Sequence, residues 1–391
     1  MIGIGKRLVA IAPALVLAAC GLPAPSTSLL NAQCPPPLTE PGEPGASDMF
    51  VMSSSLLDCR RTPITFAKYR NHRAYPGEPG RTVSYAVTSL EGPDDRPWTA
   101  QNTRLYAARA WRAALSERIN AAGNEGRLLV FIHGYNNDFE DALARGTIIR
   151  RLSRGNTPTV VVSWPSRNRL QSYVYDEASI AWAQDYISDL VEDLAGVATD
   201  ITIVSHSMGG RALIAAVERL EFRDPGKAKH ITSAILVAPD IDRHRVLRPN
   251  GSLDTLLGSQ RKVVIYTSQK DFPIRASRML HGYARLGSSD CRYDVDYARR
   301  ARGRHGNCHW TGLRDRFEIV ETARTSDDFG LRHADVFDTC AGRYDLRTFL
   351  HGKDSFPWRE RQGNESAGGA VILPDYFRDR PELCQEVAGL R

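Results

Sequence analysis

The chain predicts an α/β fold: a mostly parallel central sheet with helices on both faces. Short continuous runs rich in Val and Ile recur between Leu128 and Tyr266, apolar throughout, as strands covered on both faces are. Helical stretches alternate with them, and strand–helix alternation is the pattern of a parallel sheet. The 391 residues, less a leader and a linker, leave roughly 340, a length suited to one α/β domain with insertions.

Met49 to Ser53 and Thr82 to Thr88 are the first strand-like runs. Thr103 to Ala122 carries Leu105, Ala108, Trp111, Ala114 and Leu115 at helical spacing and predicts a helix. The buried strands are expected at Leu128 to Ile132, Val160 to Val162 with Trp164, Ile201 to Val204, Ile231 to Val237 and Val263 to Tyr266. Helices are expected at Glu177 to Ala198, Met208 to Leu220 and Pro273 to Leu286, and a last strand at Phe317 to Thr322. There is no internal repeat.

The N-terminus bears on the compartment. Lys6 and Arg7 precede an apolar stretch of 12 residues, Leu8 to Ala19, interrupted by Pro13. That is too short to span a bilayer, which takes about 20 residues, and has the layout of a secretory signal peptide over residues 1–19. It ends in Leu17-Ala18-Ala19-Cys20, which resembles the bacterial lipobox; Cys20 is the expected lipidation site, anchoring the chain to a membrane without spanning it. Gly21, not an aspartate, follows the cysteine, so the expected location is the bacterial envelope, at an outer membrane and facing the periplasm. Seven prolines between Gly21 and Gly45 read as a tether, so residues 20–47 are expected to link the lipid to a domain over 48–391.

Six cysteines remain after Cys20, an even number that favours disulfides in an exported chain. Pairing of neighbours gives Cys34–Cys59, Cys291–Cys308 and Cys340–Cys384 as the expected connectivity. The cluster His305, Cys308 and His309 lacks a second Cys-rich knuckle, so neither metal nor cofactor is expected. The net charge of +6 falls to +4 without Lys6 and Arg7, and arginine is scattered along the chain. This is a solvated surface, not a nucleic-acid stripe; an anionic membrane is a compatible partner.

The sharpest chemical signal is Ser205-His206-Ser207-Met208-Gly209 after the strand Ile201 to Val204. It is a G-x-S-x-G nucleophile elbow with Ser205 in place of the first glycine. The turn strains the serine backbone, so residues two before and two after must be small. The second signal is Phe131-Ile132-His133-Gly134-Tyr135-Asn136-Asn137 at an earlier strand end. Backbone amides there suit an oxyanion hole, and those of Tyr135 and Met208 are the expected donors. A serine nucleophile needs a histidine base, oriented by a carboxylate, in the chain order Ser, Asp or Glu, His. Asp271 and the pair Asp240 and Asp242 follow strands; Asp271 is favoured because it lies one strand further on. His305, His309, His333 and His351 qualify as base by position, with His333 favoured after the polar loop from Thr325 to Gly330. His133 and His206 read as parts of backbone turns.

In these residues the chain resembles the bacterial α/β-hydrolase proteins called the esterase/lipase superfamily of unknown function. The resemblance rests on the stretch from Phe131 to Phe139, on Ser163-Trp164-Pro165-Ser166, on Ser205 to Gly209, on Ala238 to Asp242 and on Tyr266 to Asp271. It closes with His333-Ala334-Asp335-Val336-Phe337 and Tyr344-Asp345-Leu346, covering about Asp48 to Leu350. It implies the α/β-hydrolase fold and the triad Ser207, Asp271 and His333. Two departures are expected: Phe272-Pro273 intervening between acid and helix, and an insertion over Ser288 to Arg316. The expected function is ester hydrolysis through an acyl-enzyme, on a small-molecule or lipid ester. The alternatives are a lipase or phospholipase, disfavoured by the lack of a long apolar lid helix, and a non-catalytic envelope lipoprotein.

Overall fold

The computed structural model describes residues 34–45, 47–71, 83–92, 98–121, 123–153, 157–289, 317–325, 330–352, 360–361, 371–375, 377 and 384. The strands in chain order are β1 (Met49–Ser53), β2 (Ser55–Asp58), β3 (Thr65–Arg70), β4 (Ser84–Glu91), β5 (Thr99–Tyr106), β6 (Arg127–Ile132), β7 (Thr159–Ser163), β8 (Asp200–His206), β9 (Ile231–Val237), β10 (Lys262–Thr267), β11 (Phe317–Glu321), β12 (Glu360–Arg361) and β13 (Val371–Ile372). The helices are α1 (Ala108–Asn120), α2 (Phe139–Leu152), α3 (Tyr173–Leu194), α4 (Gly209–Arg223), α5 (Pro225–Ala228), α6 (Arg243–Leu247), α7 (Ser252–Leu256), α8 (Phe272–His281), α9 (Asp335–Asp338) and α10 (Cys340–Leu350).

One 11-stranded sheet has the order β12-β13-β11-β10-β9-β8-β6-β7-β1-β4-β5. Pairing is parallel from β1 across to β13 and antiparallel only at the margins, where β4, β5 and β12 lie. Helices cover both faces. The expected apolar runs sit in the middle: every residue of β7 and all but the first of β6 are buried. Their branched side chains pack against neighbours on the pleated surface, and burial on both faces removes any need for polar alternation.

The connections decide where a site can form. The chain leaves β6, lays β7 on one side of it, then crosses to place β8 on the other. This reversal opens a crevice at the carboxyl ends of β6 and β8, the usual ligand position in an open α/β sheet. Register brings those ends level, with Ile132 opposite Ser205. The His133-Gly134 turn and Ser207 therefore emerge side by side.

Three expectations need correction. Thr103 to Tyr106 is strand, not helix: it ends β5, whose Thr103 hydroxyl meets that of Thr88 at 3.3 Å. Pairing with β4 overrides the helical spacing, which holds only from Ala108. The helix after β10 stops at His281, short of Leu286, because Gly282 takes a left-handed conformation with φ 78° and caps it. The tether is shorter than the prolines suggest. Leu38 N–H donates to Leu105 O and its carbonyl accepts from Ala107 N–H, both at 2.8 Å, and Cys34 is disulfide-bonded to Cys59. The stretch from Cys34 to Gly45 is thus fastened along the β5 margin. Cys340 and Cys384 form a second disulfide, pairing as expected. Cys291, Cys308 and Cys20, with the signal peptide and nearly all of the Ser288–Arg316 insertion, lie outside the described residues.

Candidate active site

Ser207 follows β8 directly, with φ 52°. A non-glycine residue in this region costs roughly 1–2 kcal/mol. Its surroundings hold it there. The Ser207 N–H donates to Val237 O at 2.9 Å, and the Ser207 carbonyl accepts from Gly210 N–H at 3.1 Å and Asp240 N–H at 3.2 Å. A Cβ added at Gly209 would lie 2.5 Å from His133 O and 2.6 Å from Ile132 O, so only glycine fits there. Ser205 is fully buried, and its hydroxyl reaches Ile235 O at 3.4 Å.

The turn after β6 closes on this serine. A Cβ at Gly134 would stand 2.8 Å from Ser207 Cβ and 2.8 Å from His206 O. His133 fixes the turn from below: its Nε2 accepts from the Trp164 amide at 3.0 Å while its Nδ1–H donates to Gly134 O at 2.9 Å. The Trp164 indole stacks on the imidazole at 4.8 Å and donates to His133 O at 2.9 Å. Burial drives the His133 pKa down to about 4, so the ring stays neutral and keeps this tautomer. Asp176, fully buried in the first turn of α3, accepts from Asn136 N–H at 3.3 Å, Arg167 N–H at 2.9 Å and the Ser166 hydroxyl, which in turn accepts from Asn137 N–H. The two residues after Tyr135 are thereby anchored to one carboxylate, directly or through Ser166. The Tyr135 ring meets Tyr173 edge-on at 5.3 Å.

Asp271 caps α8: its Oδ1 accepts from Ile274 N–H at 2.8 Å. Its Oδ2 accepts from His333 Nδ1–H, also at 2.8 Å. Contrary to expectation, Phe272 and Pro273 do not intervene between this acid and a helix; they are the first turn of α8, where proline's fixed φ and missing N–H are tolerated. Arg332, at φ 56°, pairs with Asp335 at 2.9 Å and shapes the approach to His333. Burial opposes charge on His333, but the Asp271 carboxylate overcomes it and holds the imidazole pKa above its ordinary value. His333 Nε2 is buried and has no hydrogen-bond partner among the described residues. His206 lies against it, ring centroids 4.7 Å apart, and donates from Nε2 to the His333 carbonyl at 3.1 Å. Burial and the charge of His333 push the His206 pKa well below the ordinary value, so it is neutral.

The structure joins Asp271 to His333 by a hydrogen bond, sets His206, the residue before Ser207, against the His333 ring, and closes the Gly134 turn that leads into Tyr135 on Ser207. The carboxylate hydrogen-bonded to His333 is that of Asp271; the Asp240 charge raises the His333 pKa only as a lesser, through-space contribution. Burial works against the charge of Asp240, yet the guanidiniums of Arg285 and Arg211, with the hydroxyls of Ser277 and Tyr173, keep its pKa below the ordinary value. Arg285 Nε reaches it at 2.7 Å. Asp242 caps α6, and His351 closes α10. His305 and His309 lie outside the described residues. Sequence reasoning missed Asp176 and Tyr173, and gave His206 no contact with the base. Only the polar Ser166 in a strand-end motif hinted at a buried partner for that loop.

A family model described as "Alpha/beta hydrolase of unknown function (DUF900)" matches residues 107–307. Comparison with curated proteins finds no match. Among solved structures the chain is similar to EstE1, a thermostable carboxylesterase cloned from a metagenomic library, at 15% identity over 84% of this chain and 92% of that one, with a TM-score of 0.31. It is similar to an esterase of Pyrobaculum calidifontis at 12% identity over 68% of this chain and 78% of that one, TM-score 0.29. The match to Aspergillus fumigatus lipase B is at 14% identity, TM-score 0.25, over 46% of this chain and 47% of the lipase, so the chain spans less than half of that enzyme.

Proposed function

From the premise that this chain belongs to the family of α/β-hydrolases of unknown function, we propose that it is a serine hydrolase of carboxylic esters. Ser207 Oγ attacks the ester carbonyl while His333 Nε2 takes its proton. The amides of Tyr135 and Met208 receive the oxyanion. Collapse expels the alcohol, which regains the proton from His333, and leaves an acyl group on Ser207. Water, deprotonated by the same nitrogen, then releases the acid and frees the serine. The observation that carries this reading is the buried His333 Nε2 without a hydrogen-bond partner among the described residues, backed by Asp271, with His206 against its ring and the next residue, Ser207, held at φ 52°. The absence of a direct bond from Ser207 to that nitrogen is compatible with the role, because such bonds often tighten only when substrate is present.

The proposed place of action is the bacterial envelope, with a lipid on Cys20 as anchor. Turnover of p-nitrophenyl acyl esters of increasing chain length tests the chemistry. Ser207→Ala is expected to abolish it while changing stability by no more than about 1 kcal/mol, since one hydroxyl is lost without a large cavity or a stranded charge. Near wild-type turnover by a normally melting Ser207→Ala protein would remove Ser207 as the nucleophile, whereas no turnover and no fluorophosphonate labelling of the folded wild type would transfer the assignment to a binding lipoprotein.

A further inference from the structure

Among the described residues eight large apolar side chains are exposed, and five of them cluster in sequence and space around α8. They are Phe272, Met279, Leu280, Tyr283 and Leu331, each at least 54% accessible, with Met279 at 80%. Ile274 and Ser277 turn inward and are buried, so the outward face of α8 is the apolar one. Leu331 joins the face because its carbonyl accepts from Phe272 N–H at 3.0 Å. An exposed apolar patch of this kind marks an interaction surface.

Its position and charge narrow the partner. The helix begins at Asp271, which binds His333, and Leu331 is two residues from that histidine, so the face rims the crevice holding Ser207. From Phe272 to Ser289 there is no Asp or Glu, while Arg275 is exposed and Arg278 half-buried beside the apolar side chains. An apolar face with arginines and a tyrosine at its edge is the composition of a helix lying in the interface of an anionic membrane. His281 and Arg285 are paired with Glu177 and Asp240, so the exposed cation at the edge of this face is Arg275.

We propose that the outward face of α8 docks on an anionic lipid bilayer, so that the ester reaching Ser207 is drawn from a lipid assembly. This rests on the serine-hydrolase reading for its chemistry but not for its binding. The test is co-sedimentation of the full chain with vesicles of phosphatidylglycerol and phosphatidylcholine, or of phosphatidylcholine alone. Cys20→Ser is present in every arm, so that a lipid on that residue contributes nothing. Combined Met279→Gln, Leu280→Gln and Tyr283→Gln should weaken vesicle binding by at least about tenfold. Arg275→Glu, a single surface change, should weaken binding to the anionic vesicles several-fold and leave binding to phosphatidylcholine alone unchanged. Fluorophosphonate labelling of Ser207 in free solution should be equal in parent and triple variant. Loss of labelling in all of them would remove the hydrolase reading and leave the docking surface standing. Equal vesicle binding by the parent and both variants would overturn the proposal. A parent that self-associates in sedimentation velocity without binding vesicles, and a triple variant that stays monomeric, would assign the face to a second copy instead.

Discussion

His333 is under two opposed demands. Burial disfavours its charged form, and the Asp271 carboxylate 2.8 Å from Nδ1 favours it; the carboxylate wins and the pKa is raised. The consequences run in opposite directions. Its folded pKa exceeds its unfolded value, so the pairing contributes stability that is complete below the unfolded pKa and is lost as pH rises through the folded one. Catalysis needs the neutral base, so kcat/KM should rise with pH through a midpoint above the ordinary 6.5. Asp271→Asn should move that midpoint down and lower kcat by roughly 10⁴-fold. Asp240→Asn should move the midpoint down less than Asp271→Asn does and act mainly on stability, because it removes the carboxylate that pairs with Arg285. A pH–rate profile of the three proteins checks both statements. The sequence marked Ser207 and Gly134 clearly, because an elbow leaves room only for small residues. It left Asp271 and Asp240 as rivals, because each follows a buried strand. What separates them is Arg211 and Arg285 closing on Asp240, a convergence of distant segments that no local spacing displays.

At the scale of elements, the site is the meeting of two turns, after β6 and after β8. Both were legible, since each strand is a pure apolar run that stops at its functional residues. Elements whose signal is short or contradicted were not. β12 and β13 have two residues each, too few for a period, and the end of β5 wears a helical pattern that sheet pairing overrules. α2 was passed over although Asp138 and Asp141 form a capping box at its start. The closeness of the two turns makes a sharp prediction. Gly134→Ala would set a Cβ against Ser207 Cβ and a backbone carbonyl, neither of which is the free end of a flexible side chain. It should cost about 1–3 kcal/mol of stability and lower kcat/KM by on the order of 100-fold through displacement of the turn. Gly123→Ala is the comparison: its φ of 83° is also left-handed, but nothing lies within 4 Å of the added carbon. Thermal melts and ester kinetics on this pair should show a stability loss in both and an activity loss in Gly134→Ala alone.

For the whole molecule, the sheet places chemistry at one end and fastens the N-terminal strap along the β5 margin. Because Cys34 is bonded to Cys59, the chain between Cys20 and that disulfide can reach about 50 Å at most. A lipid on Cys20 would thus keep the domain within one domain-length of its membrane. Cys20→Ser should release the chain to the soluble fraction or leave it uncleaved; fractionation with membranes as in wild type, with normal maturation, would contradict the anchor. The central claim is that Ser207 is an activated nucleophile. The direct measurement is peptide mapping by mass spectrometry after reaction of the folded protein with a fluorophosphonate. The account predicts one adduct, on Ser207, absent in Ser207→Ala and strongly reduced in His333→Ala. A folded wild-type protein that stays unlabelled, or labelling that persists on another residue in Ser207→Ala, would contradict it.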